Sequence, residues 1–355
     1  MGQPLDLSIA HQLAQGAVIP AHPLALTADR RLDERHQRAL TRYYAAAGVG
    51  GIAVGVHTTQ FAIRNAPARL FESVLAMAAE EMDRADLGRQ HPLIRIGGVC
   101  GDTAQALHEA RQLAVLGYHA GLLSLSAFKN ADDATLLQHC RTIANEIPII
   151  GFYMQTSVGG RPLSYRFWRE FAEIEHVAAI KIAPFNRYQT LDVVRAITES
   201  GRPIPLYTGN DDNIVMDLLT PFIFSVNGQQ KSQRIVGGLL GHWSVWTRAA
   251  VQIWQQCRQA AQNSQTVPAH LLQTAVAVTD ANAAFFDAAH GFAGCIAGLH
   301  EVLRRQGLMQ GIWCLNPNET LSPGQRDEID RVYAAYPQLN DDEFVQQHLD
   351  EWLLP

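Results

Sequence analysis

The chain has 355 residues, of which 47% are hydrophobic and 17% charged, a composition typical of a globular protein with a substantial buried core. Its formal net charge is -6 at pH 7, and no stretch combines clustered basic residues with aromatic ones, so we expect no nucleic-acid partner. The sequence contains no apolar run of about 18 residues. The first residues, MGQPLDLSIAHQLAQG, lack the basic start and apolar centre of a signal peptide, so we expect a cytoplasmic protein that does not bind membranes.

Cysteine and histidine spacing argues against a metal site. The five cysteines are odd in number and form no CxxC pair, which disfavours both a disulfide framework and a zinc knuckle. The fourteen histidines include no HExxH motif and no tight group with acidic residues. We therefore predict no metal site, and the alternative is a site built from residues that are distant in sequence.

Lysine is rare in this chain. Of its 28 basic residues only Lys129, Lys181 and Lys231 are lysines. Because arginine keeps its proton in proteins whereas a lysine amine can lose it, a lysine retained here is a candidate nucleophile.

Eight short runs rich in Val and Ile alternate with longer amphipathic stretches from residue 17 to about residue 260, which indicates β–α units around a parallel sheet. In chain order the runs are AVIPAHPLAL (17–26), GIAVGVH (51–57), LIRIGGV (93–99), HAGLLSLS (119–126), IPIIGFYM (147–154), VAAIKIAP (177–184), IPLYTG (204–209) and RIVGGLLG (234–241). Eight such units predict an α/β fold of the TIM (β/α)8 barrel type. A doubly wound open sheet is the alternative, but the sequence has neither a GxGxxG motif after the first run nor a P-loop.

The connecting stretches predict helices, for example over 65–87 and 103–117. Residues 220–233 are longer than a usual connection and are predicted to form an inserted loop near the active face. Beyond residue 260 only helical patterns remain, over 281–307, 322–336 and 341–354. We therefore predict a catalytic barrel domain, residues 1–260, and a C-terminal helical extension, residues 261–355, packed on the barrel.

Strand phase predicts which side chains face the barrel interior, because alternate residues of a strand point to opposite sides. In the sixth run Lys181 shares a phase with the small residues Ala179 and Ala183, whereas Ile180 and Ile182 share the other. The bulkier face suits the outer helices, so Lys181 is predicted to point inward.

The same reasoning applies to the second and fifth runs. The residues predicted to face inward there are Ala53, Gly55, His57, Ile149, Gly151 and Tyr153. In each case the polar residue lies near the C-terminal end of its strand, where barrel enzymes carry their chemistry.

A lysine among apolar groups loses hydration, which lowers its pKa and leaves more free amine to attack a ketone. The resulting iminium withdraws electrons and permits a carbon–carbon bond to form or break at the adjacent carbon. Tyr153 is placed to carry protons during these steps. The alternatives are a Lys181 that pairs with a buried carboxylate or reaches solvent, a core Tyr153 with a satisfied hydroxyl, a structural His57, and turn roles for Thr58 and Thr59.

The order of these elements resembles the dihydrodipicolinate synthase and N-acetylneuraminate lyase family, over nearly the whole chain. The segments that carry the resemblance are PAHPLALTADRRLD, GVGGIAVGVHTTQ, IIGFYM, AAIKIA and LYTGNDD. The resemblance implies a TIM barrel in which Lys181 forms a Schiff base with a 2-oxo acid and Tyr153, 28 positions earlier, relays protons. It also implies no cofactor beyond this covalent bond, and a homo-oligomer, either a dimer or a tetramer.

Several positions depart from the family pattern. The family's Gly-Thr-Thr-Gly-Glu loop reads Val-His-Thr-Thr-Gln here, so His57 replaces a proton-relaying threonine and only Thr58 matches. The interface tyrosine after the fourth strand is missing from Ala-Phe-Lys at 127–129, and Arg161 is the nearest substitute for the family's substrate-gripping arginine. These departures argue against dihydrodipicolinate synthase activity itself.

The sequence therefore predicts a lyase or aldolase acting on pyruvate or a pyruvate-yielding compound. The predicted catalytic residues are Lys181, Tyr153 and His57, and the predicted substrate-binding residues are Thr58, Thr59, Arg161, Gly209 and Leu240. A dehydratase or hydratase-aldolase acting on a sugar acid or an aromatic compound is the alternative within enzymes. A barrel that binds a small molecule without turnover is the alternative of another class.

Overall fold

The structure, a computed structural model, describes residues 4–263 and 266–355. Its strands are β1 (Val18–Pro20), β2 (Gly51–Val54), β3 (Ile94–Val99), β4 (Ala120–Leu123), β5 (Ile149–Met154), β6 (Val177–Ala183), β7 (Leu206–Thr208), β8 (Phe222–Val226), β9 (Gln229–Gln233) and β10 (Ile235–Leu240). Its α-helices are α1 (Leu7–Gln15), α2 (Glu34–Ala47), α3 (Phe71–Asp86), α4 (Thr103–Val115), α5 (Asp133–Ala144), α6 (Tyr165–Phe171), α7 (Arg187–Ser200), α8 (Ile214–Leu219), α9 (Thr247–Asn263), α10 (Ala269–Phe285), α11 (Cys295–Arg305), α12 (Gln325–Ala335) and α13 (Asp342–Trp352).

Eight parallel strands form the barrel, in the order β1-β10-β7-β6-β5-β4-β3-β2. The barrel closes between β1 and β2, where Ala21 and Ala53 form a parallel bridge and the N–H of His22 donates to the Ala53 carbonyl at 2.8 Å. Each of the eight runs read from the sequence contains one of these strands. The predicted TIM barrel with C-terminal helices is confirmed.

Short polar side chains begin several of the barrel helices. Asp102, Asp132 and Asn186 each accept a hydrogen bond from the backbone N–H three residues later, at the starts of α4, α5 and α7. Such caps satisfy donors that the first helical turn leaves unpaired. They fix where each helix begins and hence the length of the loop that precedes it.

The apolar core has two layers, as the pleat of a barrel strand requires. One layer packs between the strands and the helices, and the other fills the barrel interior. The amphipathic helix α1 contributes Ile9 and Leu13 to the interior layer, and the hydroxyl of Tyr207 on β7 donates to the Leu13 carbonyl at 2.8 Å. Helix α1 therefore covers the N-terminal end of the barrel, and the opposite end carries the pocket described below.

Two predictions about connections are wrong. Residues 220–233 form an antiparallel hairpin, β8 and β9, rather than an inserted loop near the active face. The hairpin joins the end of α8 to the start of β10, so it lies at the N-terminal end of the barrel. The helix predicted from residue 65 begins only at Phe71, after a short 3-10 helix and turn.

The C-terminal region is helical, as predicted, but the predicted helix over 281–307 is two helices. α10 ends at Phe285 and α11 begins at Cys295, with Asp287, Gly291 and Phe292 in left-handed backbone conformations between them. The intervening segment reaches the mouth of the barrel. The predicted domain boundary at residue 260 falls inside α9, and the division into two domains stays a prediction. None of the helices in the described ranges combines the length and apolar character needed to cross a bilayer.

Candidate active site

Lys181 points into the barrel from β6, as strand phase predicts. Ala179 and Ala183 share its face and belong to the interior layer, whereas Ile180 and Ile182 pack in the outer layer. The Lys181 side chain is 8% exposed. It lies near the C-terminal end of its strand, where a side chain meets both the barrel interior and the loops above it.

A pocket opens around Lys181 at this end of the barrel, and the space between its lining atoms, together with the open solvent at its mouth, is about 620 Å³. It is lined by the polar residues His57, Thr58, Gln155, Lys181, Asp211 and Cys295, by the glycines Gly209 and Gly241, and by Ala21, Val56, Phe152, Met154, Val158, Ala183, Phe185, Phe286 and Phe292. We call Lys181, Asp211 and His57 the reactive side of this pocket.

The environment of Lys181 favours the free amine. Burial removes water from the ammonium form and lowers the pKa of Lys181 from 10.5 to about 8, although the negative charge of Asp211 opposes the change. Within the described residues its Nζ forms no hydrogen bond or ion pair, and it lies 4.4 Å from the centre of the Phe152 ring. An aromatic face attracts the cation but takes no proton from it. The amine therefore stands unpaired in the pocket.

Asp211 is a functional candidate that sequence reasoning missed. It follows β7 in the segment LYTGNDD, and one carboxylate oxygen accepts the N–H of His242 at 3.1 Å. Its carbonyl accepts the side-chain amide of Asn282 from α10 at 2.6 Å. Desolvation in the pocket wall raises the pKa of Asp211 to about 7, against the lowering effects of the His242 hydrogen bond and of Lys181. A carboxyl group that titrates near neutral pH can both take and give protons.

Gly209, which the sequence predicts to bind substrate, lines the pocket and lies against Lys181. A Cβ atom at this position would come within 2.6 Å of Lys181 Cε and 2.8 Å of Ala183 Cβ. Only a residue without a side chain leaves the space that the extended Lys181 side chain occupies.

The prediction that Tyr153 faces the barrel interior is wrong. Phe152 is the β5 residue that pairs with Lys181 in register, and Tyr153 points outward into the layer beneath the helices. The Tyr153 ring packs 5.6 Å from that of Trp168, and its hydroxyl accepts the N–H of Leu163 at 3.1 Å. Tyr153 is thus a core tyrosine with a satisfied hydroxyl, which was the alternative interpretation.

The strand phase failed here because β5 is apolar on both faces. The run IIGFYM shows no alternation, so periodicity cannot decide which face is inner. In the structure Gly151 determines which face of β5 is the inner one, since a Cβ at this position would lie 2.8 Å from the Phe171 ring on the helix side. The outer face of β5 must therefore be small at this point, and Phe152 turns inward.

His57 and Thr58 line the pocket from a 3-10 turn, although the sequence predicts that His57 lies in the second strand. The strand ends at Val54, and Gly55, with a positive φ of 74°, faces Phe71 outside the barrel, contrary to prediction. Burial, reinforced by the charge of Lys181, lowers the pKa of His57 to about 4. The imidazole is therefore neutral at physiological pH.

Thr58 lines the pocket, but its hydroxyl already forms a hydrogen bond within the protein. The hydroxyl donates to the Ala21 carbonyl at 2.7 Å. The backbone N–H groups of His57 and Thr58, which open the turn, have no acceptor among the described residues. The turn therefore offers amide donors rather than a hydroxyl donor.

Three predicted substrate-binding residues lie outside the pocket lining. The Thr59 hydroxyl donates to the His22 carbonyl at 2.6 Å and accepts the N–H of Gly55, so it is a turn residue. Arg161 donates to two backbone carbonyls of the loop after β4, at 2.5 and 2.8 Å. Leu240 packs in the outer layer, and its neighbour Gly241 lines the pocket instead. Each of these three side chains is used for packing or for backbone hydrogen bonds, and their predicted roles in substrate binding stay predictions.

Four phenylalanines, Phe152, Phe185, Phe286 and Phe292, form what we call the aromatic side of the pocket. Phe185 follows β6, and Phe286 and Phe292 come from the segment between α10 and α11. The rings of Phe185 and Phe292 meet edge to face with centres 5.7 Å apart. Sequence reasoning missed this side because nothing in the sequence shows where the segment after α10 lies relative to the barrel.

The fold recurs in several solved structures. Dihydrodipicolinate synthase from Oceanobacillus iheyensis aligns with 15% identity over 93% of this chain and 99% of its own, with a TM-score of 0.73. N-acetylneuraminate lyase from Fusobacterium nucleatum aligns with 17% identity over 91% and 99% of the two chains, with a TM-score of 0.70. A prophage protein of the dihydrodipicolinic acid synthase family from E. coli K12, solved in complex with pyruvate, aligns with 15% identity over 91% and 98%, with a TM-score of 0.71.

No family model and no curated protein matches the sequence. Identities of 15–17% over nearly the full length of both chains show a common fold. The resemblance inferred from the sequence is confirmed at this level: the chain has the barrel and C-terminal helices of the dihydrodipicolinate synthase and N-acetylneuraminate lyase structures.

Proposed function

We propose that the protein is a Schiff-base-forming lyase of the aldolase type, in which Lys181 attacks the carbonyl of a 2-oxo acid such as pyruvate. The observation that carries this proposal is an unpaired lysine amine at the C-terminal end of a barrel strand, with its pKa lowered to about 8, inside a pocket that also holds a carboxyl group. The common fold with lyases supports it.

The proposed reaction begins when Nζ attacks the carbonyl carbon and the carbonyl oxygen, after protonation, leaves as water. The iminium formed at Nζ withdraws electrons from the neighbouring methyl carbon, which loses a proton to give an enamine. The enamine carbon then bonds to the carbonyl carbon of an aldehyde, whose oxygen takes up a proton. Water finally hydrolyses the iminium, frees the 4-hydroxy-2-oxo acid and restores the amine, and cleavage follows the same steps in reverse.

Asp211 takes the part of proton carrier in this proposal, because Tyr153 lies outside the pocket and Phe152 has no ionisable group. A carboxyl group whose pKa is raised to about 7 accepts a proton from the amine or methyl carbon and returns it to the leaving oxygen. The neutral His57 ring is the second candidate for this transfer.

The substrate carboxylate is placed at the His57–Thr59 turn. The free N–H groups of His57 and Thr58 suit an anion, whereas the Thr58 hydroxyl is committed to the Ala21 carbonyl. Of the Thr58 hydroxyl and the neighbouring amides, which the sequence predicts to bind the carboxylate together, this proposal keeps the amides alone.

The proposal carries further expectations from the sequence. The reaction is expected to need no cofactor beyond the covalent bond to Lys181. The protein is expected to be cytoplasmic and to assemble as a homodimer or homotetramer, as the resemblance implies.

Trapping with borohydride tests the proposal. The protein is incubated with pyruvate, reduced, and weighed intact; we expect one added pyruvate unit on the wild type and none on Lys181→Ala. The double variant Lys129→Arg with Lys231→Arg is the matched control, because both side chains are exposed and away from the pocket. An unlabelled wild type, or an equally labelled Lys181→Ala, would refute the Schiff base. An adduct without turnover of any aldehyde would favour the binding protein over the enzyme.

A further inference from the structure

The lining of the pocket beyond the reactive side points to the chemical class of the second substrate. We propose that the partner of the 2-oxo acid is an aldehyde with an apolar, aromatic substituent rather than a polyhydroxylated one. This inference rests on the proposed function, since it concerns the group that the Lys181 enamine attacks.

The pocket has few groups to bind hydroxyls. In the proposed function Lys181, Asp211 and His57 act at the reacting carbon, and the Thr58 hydroxyl donates to the Ala21 carbonyl. Of the remaining lining residues only Gln155 has a strong hydrogen-bonding side chain, and Cys295 supplies a weak one. A sugar chain brought into this pocket would leave most of its hydroxyls without partners, at a free-energy cost for each.

The aromatic side offers apolar ring surface against which a flat apolar group can pack. The Phe286 side chain is buried, and those of Phe185 and Phe292 are half-buried, so each of these two keeps ring surface open for contact. Their edge-to-face contact, at 5.7 Å and 78°, is the arrangement that aromatic rings prefer, and a third ring can extend it.

Phe185 and Phe292 both have an uncommon backbone conformation. Phe185 has φ of 52° and Phe292 φ of 71°, values in the left-handed region that bulky residues rarely adopt. Hydrogen bonds hold them there: the N–H of Phe185 donates to Asn210 Oδ1 at 3.0 Å, and the N–H of Phe292 donates to the Asp287 carbonyl at 3.0 Å. Two loops of different origin are thus fixed so that their phenyl rings meet at the pocket.

The tests compare substrates of different polarity. Condensation with pyruvate is measured for benzaldehyde and for glyceraldehyde by mass spectrometry of the 4-hydroxy-2-oxo acid formed. We expect kcat/KM for benzaldehyde to exceed that for glyceraldehyde at least ~10-fold. Phe292→Ala and Phe185→Ala are expected to reduce this ratio at least ~5-fold, whereas Tyr188→Ala, an exposed aromatic residue of α7, leaves the ratio unchanged.

A binding measurement separates this inference from the proposed function. Calorimetry compares pyruvate with 2-oxo-4-phenylbutanoate, a 2-oxo acid that carries a phenyl group, and we expect the phenyl compound to bind at least ~10-fold more tightly. If pyruvate forms its trapped adduct but glyceraldehyde reacts faster than benzaldehyde, or the phenyl compound binds no better, the substrate class is overturned and the proposed function stands. If neither 2-oxo acid binds or is trapped, both are overturned.

Discussion

The reactive side and the aromatic side of the pocket come from different parts of the chain. The reactive side lies on β6, on the loop after β7 and on the turn after β2, whereas most of the aromatic side lies on the loop after β6 and on the segment between α10 and α11. The first is set by the barrel's own geometry. The second depends on how the C-terminal helices pack over it. The reactive side therefore follows from the barrel strands and their loops, whereas two of the four rings of the aromatic side come from the C-terminal extension, which also contacts Asp211 through Asn282.

The largest expected effect comes from Asp211, the proposed proton carrier of the reactive side. Asp211→Asn keeps the size of the side chain but removes its titration, so we expect kcat for pyruvate condensation to fall by ~10²–10⁴. Steady-state kinetics with the aldehyde that reacts fastest measures this fall in kcat. Asp212→Asn is the matched control, because Asp212 is the next residue in the chain and is not part of the pocket lining. Unchanged kcat in Asp211→Asn would assign the proton transfers to another group.

The stability of the protein reports on the buried amine. At pH 7 the ammonium form of Lys181 is disfavoured in the folded state, so replacing it by methionine is expected to raise the free energy of unfolding by about 2 kcal/mol. The pKa of Lys181 is about 8 in the folded protein and 10.5 ordinarily. The free-energy cost of burying its charge is therefore complete below pH 8 and disappears as the pH rises to 10.5. Urea unfolding of the wild type and of Lys181→Met at pH 7 and pH 10 measures this cost, and a stability difference between the two proteins that is equal at both pH values would show that Lys181 is not desolvated.

The next largest effect is expected from filling the space beside Lys181 at Gly209. Gly209→Ala places a methyl group 2.6 Å from Lys181 Cε, so the amine must shift, and we expect the rate of pyruvate trapping to fall ~10-fold. Gly88→Ala is the matched control, because a Cβ there meets nothing within 4 Å. A normal trapping rate in Gly209→Ala would mean that the lysine acts from another conformation.

The smallest expected effect is at Tyr153, which points toward the helices, whereas its neighbour Phe152 lines the pocket. Tyr153→Phe removes only a hydroxyl that accepts the Leu163 N–H, so we expect trapping within ~2-fold of wild type and a loss of about 1 kcal/mol in stability. Trapping rates and chemical unfolding measure the two effects. A large loss of trapping would return Tyr153 to the proton-transfer role that the sequence predicts.

The barrel and the lysine are accessible from sequence for a physical reason. β6 alternates small and bulky residues, so one face fits the interior and the other the helices, and Lys181 falls on the inner face. Where alternation exists, phase predicts orientation.

The rest of the site depends on contacts between distant segments. β5 is apolar on both faces, so only the packing of Trp168 and Phe171 against Gly151 shows that Phe152 turns inward. Arg161 donates its hydrogen bonds to backbone carbonyls after β4 instead of facing the pocket, and the sequence does not reveal these contacts. Asp211 carried a detectable signal, an acidic pair directly after a barrel strand, where barrel enzymes place functional groups.

The most direct test of the account is to locate the reduced pyruvate label by peptide mass spectrometry. The chain contains only Lys129, Lys181 and Lys231 as lysines, so the assignment has few alternatives. We predict that the label lies on the peptide containing Lys181 and that labelling accelerates as pH rises through about 8, as more of the amine becomes free. A label on Lys129 or Lys231, with Lys181 unmodified, would contradict the account.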